Sequence, residues 1–347
     1  MKNLTSIATH SDRSHYIDAM LAQAIEKIDA LDQHRIQRAL ASNNTHFKHV
    51  FYLLPLLLHY NLPELPAYVE NAPYGLAKFT FNPYQKRFFN TLISETERKE
   101  VADYAFDGLY SMGSTGSIVQ TTKSDLDLWL CYSQELSREA YQLIEQKLAK
   151  LTQWAKGLGI EVNFYLMNPE HFKDNHHNYG VSEEHSGSAQ HFFLLDEFYR
   201  SAVRLAGKRL LWLHLPDNTY KKAIKSKKID LSEWIDFGDF SSLSTSEFFG
   251  ASLWQLYKGI ESPYKSAIKI LLLESYAQTY PETKLISKQF KQKLLSNKTE
   301  HYHFDPYLAM LEQVTDYLKD RKELSRLDRL RQCFYLKAKE GKVLYNW

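Results

Sequence analysis

The stretch at positions 112–129, MGSTGSIVQTTKSDLDLW, decides how this 347-residue chain is interpreted. It opens on a Gly-Ser turn at Gly113 and Ser114 and closes on two aspartates, Asp125 and Asp127, at the start of an apolar run. Because side chains alternate along a strand, both aspartates point to the same side of a sheet and can share a cation. The turn offers backbone and hydroxyl donors suited to a phosphate. Each feature alone is weak evidence, but their close spacing beside two strands indicates a phosphate site next to a cation site.

Strand and helix patterns alternate around this stretch. The predicted elements of the middle part are strands at 106–112, 126–131, 160–167 and 208–215 and helices at 136–156 and 194–206. Helical periodicity dominates the two flanks: the predicted N-terminal helices cover 15–42, 47–60 and 83–102, and residues 232 to 347 are almost all helical, with breaks before Pro263, Pro281 and Pro306. We therefore predict an α+β fold in three parts: an N-terminal helical region at 1–105 packing on the core, a catalytic domain at 106–230 and a helical domain at 231–347.

Glycine is scarce and unevenly placed. The chain has only 13 Gly and 10 Pro, which predicts long helices and few tight turns. Seven of the glycines fall between positions 108 and 187. Among them, Gly113 and Gly116 occupy the turn where a phosphate must approach the backbone, and Gly157 and Gly159 stand where the helix at 136–156 ends.

Charge and cysteine content exclude several classes of protein. With 43 basic and 41 acidic residues the net charge is +2, which favours neither nucleic acid nor a membrane surface as a partner. Two cysteines are too few for a disulfide framework or a Cys-based zinc site and suit a reducing compartment. The N-terminus has no apolar signal region, and no apolar run approaches the ~20 residues of a membrane span. We expect a soluble, cytoplasmic protein.

The Gly-Ser, spacer, Asp-x-Asp signature resembles that of the nucleotidyltransferase superfamily typified by DNA polymerase beta. This resemblance implies a polymerase beta-like sheet with flanking helices and a third carboxylate on a following strand. In the strand at 160–167, Glu161 is the only acid, and it shares a face with Asn163 and Tyr165. We expect Glu161 to be the third metal ligand. The expected nucleotide-binding residues of the loop are Gly113, Ser114, Ser117 and Ser124.

A closer resemblance covers nearly the whole chain. Blocks at 53–60, 110–114, 124–129, 191–209 and 249–274 are similar to the class I adenylate cyclases of gamma-proteobacteria. The longer blocks lie outside the superfamily motif, so the likeness is specific. It implies conversion of ATP to 3′,5′-cyclic AMP and pyrophosphate. Family members continue into a large C-terminal regulatory region, so we expect this chain to be a catalytic region whose regulatory partners act through a part absent from it.

The resemblance also implies the cofactor. Asp125, Asp127 and Glu161 would hold two Mg²⁺ ions, with Mn²⁺ as a possible substitute. One ion lowers the pKa of the ribose 3′-hydroxyl, and the other neutralises the pyrophosphate leaving group. Attack is then in line at the α-phosphorus, and the remaining catalytic contribution is positioning and charge stabilisation.

Cations near the triphosphate are expected from two places. Lys265 and Lys269 lie four residues apart on a helix that is apolar on most sides, and a triphosphate would compensate their charge; the alternative is that both ammonium groups reach water. Arg200 is a further candidate for a phosphate contact, although a salt bridge with Asp196 or Glu197 explains it equally well. Ser188 falls in a block shared with the cyclases and is a candidate for the nucleotide pocket.

Three functions remain open at this stage. The first is the adenylate cyclase. The second uses the same site to transfer a nucleotidyl group to a separate small-molecule or protein acceptor. The third is a catalytically silent nucleotide-binding module, against which the two adjacent carboxylates argue, since they repel each other without a metal. Product formation without any acceptor separates the first from the second.

Overall fold

The computed structural model describes residues 10–94, 100–174, 190–226, 229–241, 243–296 and 304–339. Its N-terminal helices are α1 (His10–Ala41), α2 (Thr45–His59) and α3 (Pro83–Leu92). The middle part contains β1 (Gly108–Met112), β2 (Leu126–Cys131), α4 (Arg138–Gly157), β3 (Val162–Met167), α5 (Pro169–Lys173), α6 (His191–Ser201), β4 (Val203–Gly207), β5 (Arg209–Leu210), α7 (Leu211–His214), α8 (Asp217–Ser226) and β6 (Trp234–Ile235). The last helices are α9 (Thr245–Lys258), α10 (Pro263–Gln278), α11 (Ile286–Leu295), α12 (Pro306–Asp320) and α13 (Leu324–Lys339).

A mixed four-stranded sheet lies at the centre of the fold, in the order β3-β2-β1-β4. Strand β1 pairs antiparallel with β2 and with β4, whereas β2 and β3 run parallel. The parallel pair is connected by α4, as a crossover between parallel strands requires. The predicted α+β class is confirmed, with a small mixed sheet among helices.

Strand β2 is buried on both of its faces. Leu128 and Leu130 point into a cluster built with α2 and α4. Trp129 and Cys131 alternate with them and point into a second cluster, shared with α6 and the C-terminal helices. The second cluster also contains Leu31 of α1, so one hydrophobic core joins residues from all three predicted parts. The boundaries at 105/106 and 230/231 stay predictions.

Helix α2 is the most apolar element. Its N-cap is Asn44, whose side chain accepts a 2.8 Å hydrogen bond from the Phe47 N–H. Its leucines are fully buried: Leu53, Leu54, Leu56, Leu57 and Leu58. Within the described ranges, no helix is long and apolar enough to cross a membrane.

Helix α4 ends at the position that Gly157 and Gly159 predicted. The Gly159 N–H donates to the Lys156 carbonyl at 2.9 Å, and the Ile160 N–H donates to the Ala155 carbonyl at 3.0 Å. These are the two bonds of a Schellman motif, which requires a left-handed residue, and Gly159 has φ +77°. The chain then enters β3, the strand after Glu161.

The prediction of a helix over 83–102 is wrong in its second half. Helix α3 begins at Pro83 behind a capping box formed by Asn82 and Gln85, but it ends at Leu92. Residues 100–102 are not helical, and residues 95–99 of that prediction lie outside the described residues. The segment 94–100 is entirely polar, so it has no apolar side chain with which to pack a helix against the core.

The predicted helix at 194–206 and the predicted strand at 208–215 also need correction. Helix α6 ends at Ser201, and the chain turns into β4, which pairs with the free edge of β1. Backbone hydrogen bonding to that edge outweighs the helical pattern. Only Arg209 and Leu210 of the next segment form a strand, because their partner β6 has just two residues; the following four form α7.

Candidate active site

A cleft of about 670 Å³ lies between the sheet and helices α9 and α10. The predicted site residues in its walls are Gly113, Asp125, Asp127, Glu161, Lys265 and Lys269. Residues from positions 113 to 269 therefore converge on one space. The rest of its lining mixes apolar and amide side chains with further charged ones, among them Lys258 and Glu261.

The sheet positions the three carboxylates. Asp127 lies in β2, between Met112 of β1 and Asn163 of β3. Asp125 and Glu161 each precede one of the two parallel strands by a single residue. Because the Leu126 N–H donates to the Glu161 carbonyl at 2.9 Å, the register brings Asp125 and Glu161 to neighbouring positions at the same end of the sheet.

Asp127 carries the clearest electrostatic signature of the site. Burial raises the pKa of Asp127 to about 6, and the charge of Asp125 adds to the rise. Lys265 and the Asn163 amide, whose Nδ2 donates to Asp127 Oδ1 at 3.1 Å, oppose it. A carboxylate with a raised pKa next to a second carboxylate is stabilised by a cation that binds both.

The aspartate pair fits a hard divalent cation. Carboxylate oxygens are the ligands that Mg²⁺ prefers, and Mg²⁺ is commonly bound by one or two carboxylates together with substrate phosphates. Among the described residues, no group of three or more His, Cys, Asp or Glu side chains is arranged to hold a metal ion. The metal site at Asp125 and Asp127, with Glu161 as its third ligand, therefore stays a prediction.

The Gly-Ser loop is held mostly by its own hydrogen bonds. Ser117 Oγ donates to the Ser114 carbonyl at 2.7 Å, and Ser124 Oγ accepts from the Thr121 N–H at 2.9 Å. These two predicted nucleotide ligands shape the loop and lie outside the cleft lining. The Gly113 N–H donates to Ser201 Oγ at 2.9 Å. Ser114 also lies outside the cleft lining; in the part of the chain that the structure describes, its hydroxyl and N–H have no protein partner, and its contact with a phosphate stays a prediction.

Gly113 and Gly116 of the loop are glycines for different structural reasons. Gly113 has φ +81°, and a Cβ there would stand 3.8 Å from Asp127 Oδ2, so this glycine leaves open the space in front of the carboxylate. Gly116 has φ +69°, and a Cβ would lie 2.4 Å from the Arg35 carbonyl of α1. Gly116 therefore accommodates the backbone of α1, and the approach of a phosphate to this part of the turn stays a prediction.

Lys265 provides a cation that the protein leaves uncompensated. It forms no hydrogen bond or ion pair with any described residue. Tyr307, together with Glu197, Asp127 and Asp125, raises the pKa of Lys265 far enough to outweigh its burial. These neighbours favour the charged form of Lys265, which lines the same cleft as the carboxylates.

Lys269 is paired with Glu197 of α6, a cleft residue that the sequence did not single out. Lys269 Nζ donates to both carboxylate oxygens, at 2.7 and 2.9 Å. Burial alone would raise the pKa of Glu197, but Lys269, Arg200 and Lys265 lower it to about 2. Asp196 stands next to Glu197 on α6, so the sequence carries no signal that separates the two acids. The expected role of Lys269 toward a triphosphate stays a prediction.

Arg200, another predicted site residue, is not among the residues that line the cleft. Arg200 is buried in an ion pair with Asp196, whose carboxylate also accepts from Tyr276 Oη at 3.0 Å and the Ser287 N–H at 2.9 Å. The salt-bridge alternative is thus the one the structure adopts for Arg200. Ser188 lies outside the described residues.

Away from the carboxylates the cleft becomes apolar and aromatic. Its lining there includes Trp129, Leu166, Met167, Phe172, Leu194 and Trp254. Two amide side chains, Gln190 and Gln255, stand among them. One end of the cleft therefore suits phosphates and cations, and the other suits a flat, partly polar group.

Known proteins match the chain along most of its length. Residues 20–213 match the family model described as the adenylate cyclase NT domain, and residues 243–346 match the class I adenylate cyclase second domain. An adenylate cyclase of Pasteurella multocida is 48% identical over 92% of this chain and 40% of its own length. Those of Haemophilus influenzae and Escherichia coli K12 are 47% and 42% identical, over 95% and 91% of this chain and 42% and 38% of their own lengths. The chain thus spans about two-fifths of these relatives, and no solved structure matches it.

Proposed function

The chain belongs to the class I adenylate cyclase family, and from that premise we propose that its cleft converts ATP to 3′,5′-cyclic AMP and pyrophosphate. The observation that carries the proposal is the convergence of Asp125, Asp127 and Lys265 on one cleft. Two carboxylates for a cation and one uncompensated cation for an anion are the complement of a metal-bound triphosphate. The relatives' printed names supply the reaction.

We assign the sheet to the nucleotidyltransferase superfamily on the basis of the same site. Three features support this placement: a Gly-Ser turn after β1, an aspartate pair at the start of β2, and a parallel neighbour, β3, that begins after Glu161. In this scheme Asp125 and Asp127 hold Mg²⁺ or Mn²⁺, and Glu161 completes the site. Bound metal would lower the pKa of the ribose 3′-hydroxyl and neutralise charge on the pyrophosphate.

The residues of the chain account for positioning and charge. Lys265 lies opposite the aspartates and stabilises the negative charge that accumulates on the leaving pyrophosphate. Gly113 leaves room for the α-phosphate in front of Asp127, and the free N–H and hydroxyl of Ser114 donate to a phosphate oxygen. The 3′-oxygen forms a bond to the α-phosphorus while the bond to pyrophosphate breaks, and the 3′-hydroxyl proton leaves to solvent. Glu197 holds Lys269 in the same wall.

The cellular location of the protein and its regulation are also proposals. ATP as substrate places the protein in the cytoplasm. The match covers about two-fifths of the relatives' length, and regulatory partners stay part of the proposal.

A product assay without an acceptor tests the function. Purified chain is incubated with ATP and either Mg²⁺ or Mn²⁺, and cyclic AMP and pyrophosphate are quantified. We expect equal amounts of both products. Absence of cyclic AMP with both metals, together with labelling of an added acceptor, would establish the nucleotidyl-transfer alternative. Tight ATP binding with neither product would establish the silent module.

A further inference from the structure

Two buried amides stand at the apolar end of the cleft. Gln190 precedes α6 and Gln255 lies in α9, and each is only 5% exposed. Gln255 Nε2 donates to Gln190 Oε1 at 3.5 Å, the outer limit of a hydrogen bond. Neither Gln255 Oε1 nor Gln190 Nε2 has a protein partner within the described ranges. One acceptor and one donor, side by side, are therefore left facing the cleft.

The apolar surroundings of the two amides make it unfavourable to leave their polar atoms without hydrogen bonds. Phe172, Leu194 and Met167 line the same end of the cleft. Next to Gln190, His191 stacks on Phe172 with ring centroids 4.0 Å apart. Polar atoms left unpaired in such a setting destabilise the protein unless a ligand or water satisfies them. The site is thus built for a flat ligand with a polar edge.

The position along the sheet also suits the base of a nucleotide. Asn163 pairs with Asp127, and Met167 lies four residues further along β3. At about 3.3 Å per residue, Met167 is about 13 Å along the strand from Asn163. That separation exceeds the reach of an α-phosphate bound at the aspartates and corresponds to the far edge of its nucleoside.

We propose that Gln190 and Gln255 select adenine by reading its amino edge, an inference that rests on the proposed use of a nucleotide at this site. The 6-amino group donates to Gln255 Oε1, and Gln190 Nε2 donates to the adjacent ring nitrogen. An amide donor and acceptor match adenine in this way when both contacts form together. Guanine presents the reverse order, an oxygen and a ring N–H, and so places acceptor against acceptor and donor against donor. The assignment depends on which of the two amides donates to the other. If both side-chain amides were rotated by 180°, they would present a donor and an acceptor in the reverse order and would select guanine.

Equilibrium binding of nucleotides that cannot cyclise tests the proposal separately from catalysis. The probes are 3′-deoxy-ATP and 3′-deoxy-GTP with Mg²⁺, measured by titration calorimetry. We expect wild-type protein to bind the adenine compound at least about tenfold more tightly. Gln255→Leu and Gln190→Leu should each bring the ratio to within about threefold, because the base loses one of its two contacts. Gln134→Leu, at an exposed position outside the cleft, should leave the ratio unchanged.

A near-isosteric variant keeps the proposal testable if the leucine variants fail to fold. Gln255→Glu keeps an acceptor for the 6-amino group but loses the Nε2 donor that fixes the direction of Gln190, so the preference for 3′-deoxy-ATP over 3′-deoxy-GTP should fall by at least about threefold. Unchanged ratios in Gln255→Glu and both leucine variants would overturn the assignment, as would guanine preference in the wild type, even if cyclic AMP is formed. Binding of neither compound by the wild type would overturn the proposed function as well.

Discussion

The backbone N–H of Ile118 donates a 2.7 Å hydrogen bond to Oδ2 of Asp305, 187 residues later in the chain. Oδ1 of the same carboxylate caps α12 by accepting from the N–H groups of Tyr307 and Leu308, at 3.0 and 3.1 Å. Arg38 of α1 lies 3.3 Å from Oδ2. One aspartate therefore ties the loop between β1 and β2 to the helical half of the protein.

Removing this carboxylate should destabilise the fold and loosen the loop. Asp305→Ala loses a helix cap and leaves the Ile118 N–H without its acceptor, so we expect about 2–4 kcal/mol less stability in urea unfolding. Asp305→Asn is the matched variant, because asparagine still caps α12 but loses one acceptor. It should cost less than alanine while still accelerating amide exchange at Ile118. Equal stability and equal exchange in all three proteins would show that the link is unimportant.

Gly116 should be far less replaceable than Gly159. Both have positive φ, but a Cβ at Gly116 meets the Arg35 carbonyl at 2.4 Å, whereas a Cβ at Gly159 meets nothing within 4 Å. Gly159→Ala should cost only the strain of the left-handed backbone, about 1 kcal/mol. Gly116→Ala should cost at least about 2 kcal/mol more, because α1 must move. The comparison uses melting temperature and urea unfolding, and similar losses at both positions would contradict it.

The pair of Glu197 with Lys269 predicts a pH dependence of stability. The pKa of Glu197 is about 2 in the folded protein, below its ordinary value of 4.5. A lowered carboxyl pKa stabilises the fold above the ordinary value, and this contribution disappears as the pH falls toward the folded value. Wild type should exceed Glu197→Gln by on the order of 2–3 kcal/mol at pH 7.

That difference should shrink steadily as the pH is lowered from 4.5 toward 2. Free energies of unfolding of both proteins, measured by urea titration at several pH values, give the difference directly. Lys293→Met, at an exposed position of α11, serves as a charge control whose effect should not follow this window. A difference that is the same at pH 7 and pH 3 would exclude a charged pair.

Asp127→Asn should separate turnover from folding. The substitution removes a metal-binding charge, so cyclic AMP formation should fall at least about a hundredfold. It also removes the repulsion between Asp125 and Asp127 in metal-free protein, so the melting temperature in the presence of a chelator should not decrease. Full activity of Asp127→Asn would rule out the two-metal scheme.

Lys265→Met tests the cation that faces the aspartates. Loss of this charge should lower kcat/KM for ATP by about tenfold to a hundredfold, because the triphosphate loses a compensating cation. Lys225→Met, at an exposed position of α8, is the matched control and should leave kcat/KM unchanged. If both variants retain wild-type kinetics, Lys265 does not contact the nucleotide.

Much of the site was visible in the sequence because its parts are local. The aspartate pair, the Gly-Ser turn and the alternation in β3 each depend on neighbouring residues, and a strand's period of two fixes which side chains share a face. The helix ends at Gly159, Pro263 and Pro306 follow equally local rules.

The ion-pair partners of Glu197 and Arg200 could not be predicted in this way. Both lie on α6 beside several possible partners, and only packing decides that Arg200 meets Asp196 while Glu197 meets Lys269. The turn of the chain into β4 has the same origin, since it depends on an edge of β1 that comes about 90 residues earlier.

The sequence by itself determined the α+β class, the positions of β1, β2 and β3 along the chain and the aspartate pair at the start of β2, because these follow from short-range periodicity and spacing. Only the tertiary structure decided which charges are compensated. Lys269 and Arg200 are neutralised by α6, whereas Lys265 is left facing Asp125 and Asp127. The physical reason is that ion pairs and amide contacts between distant segments depend on how helices pack, and side-chain identity alone does not specify that packing.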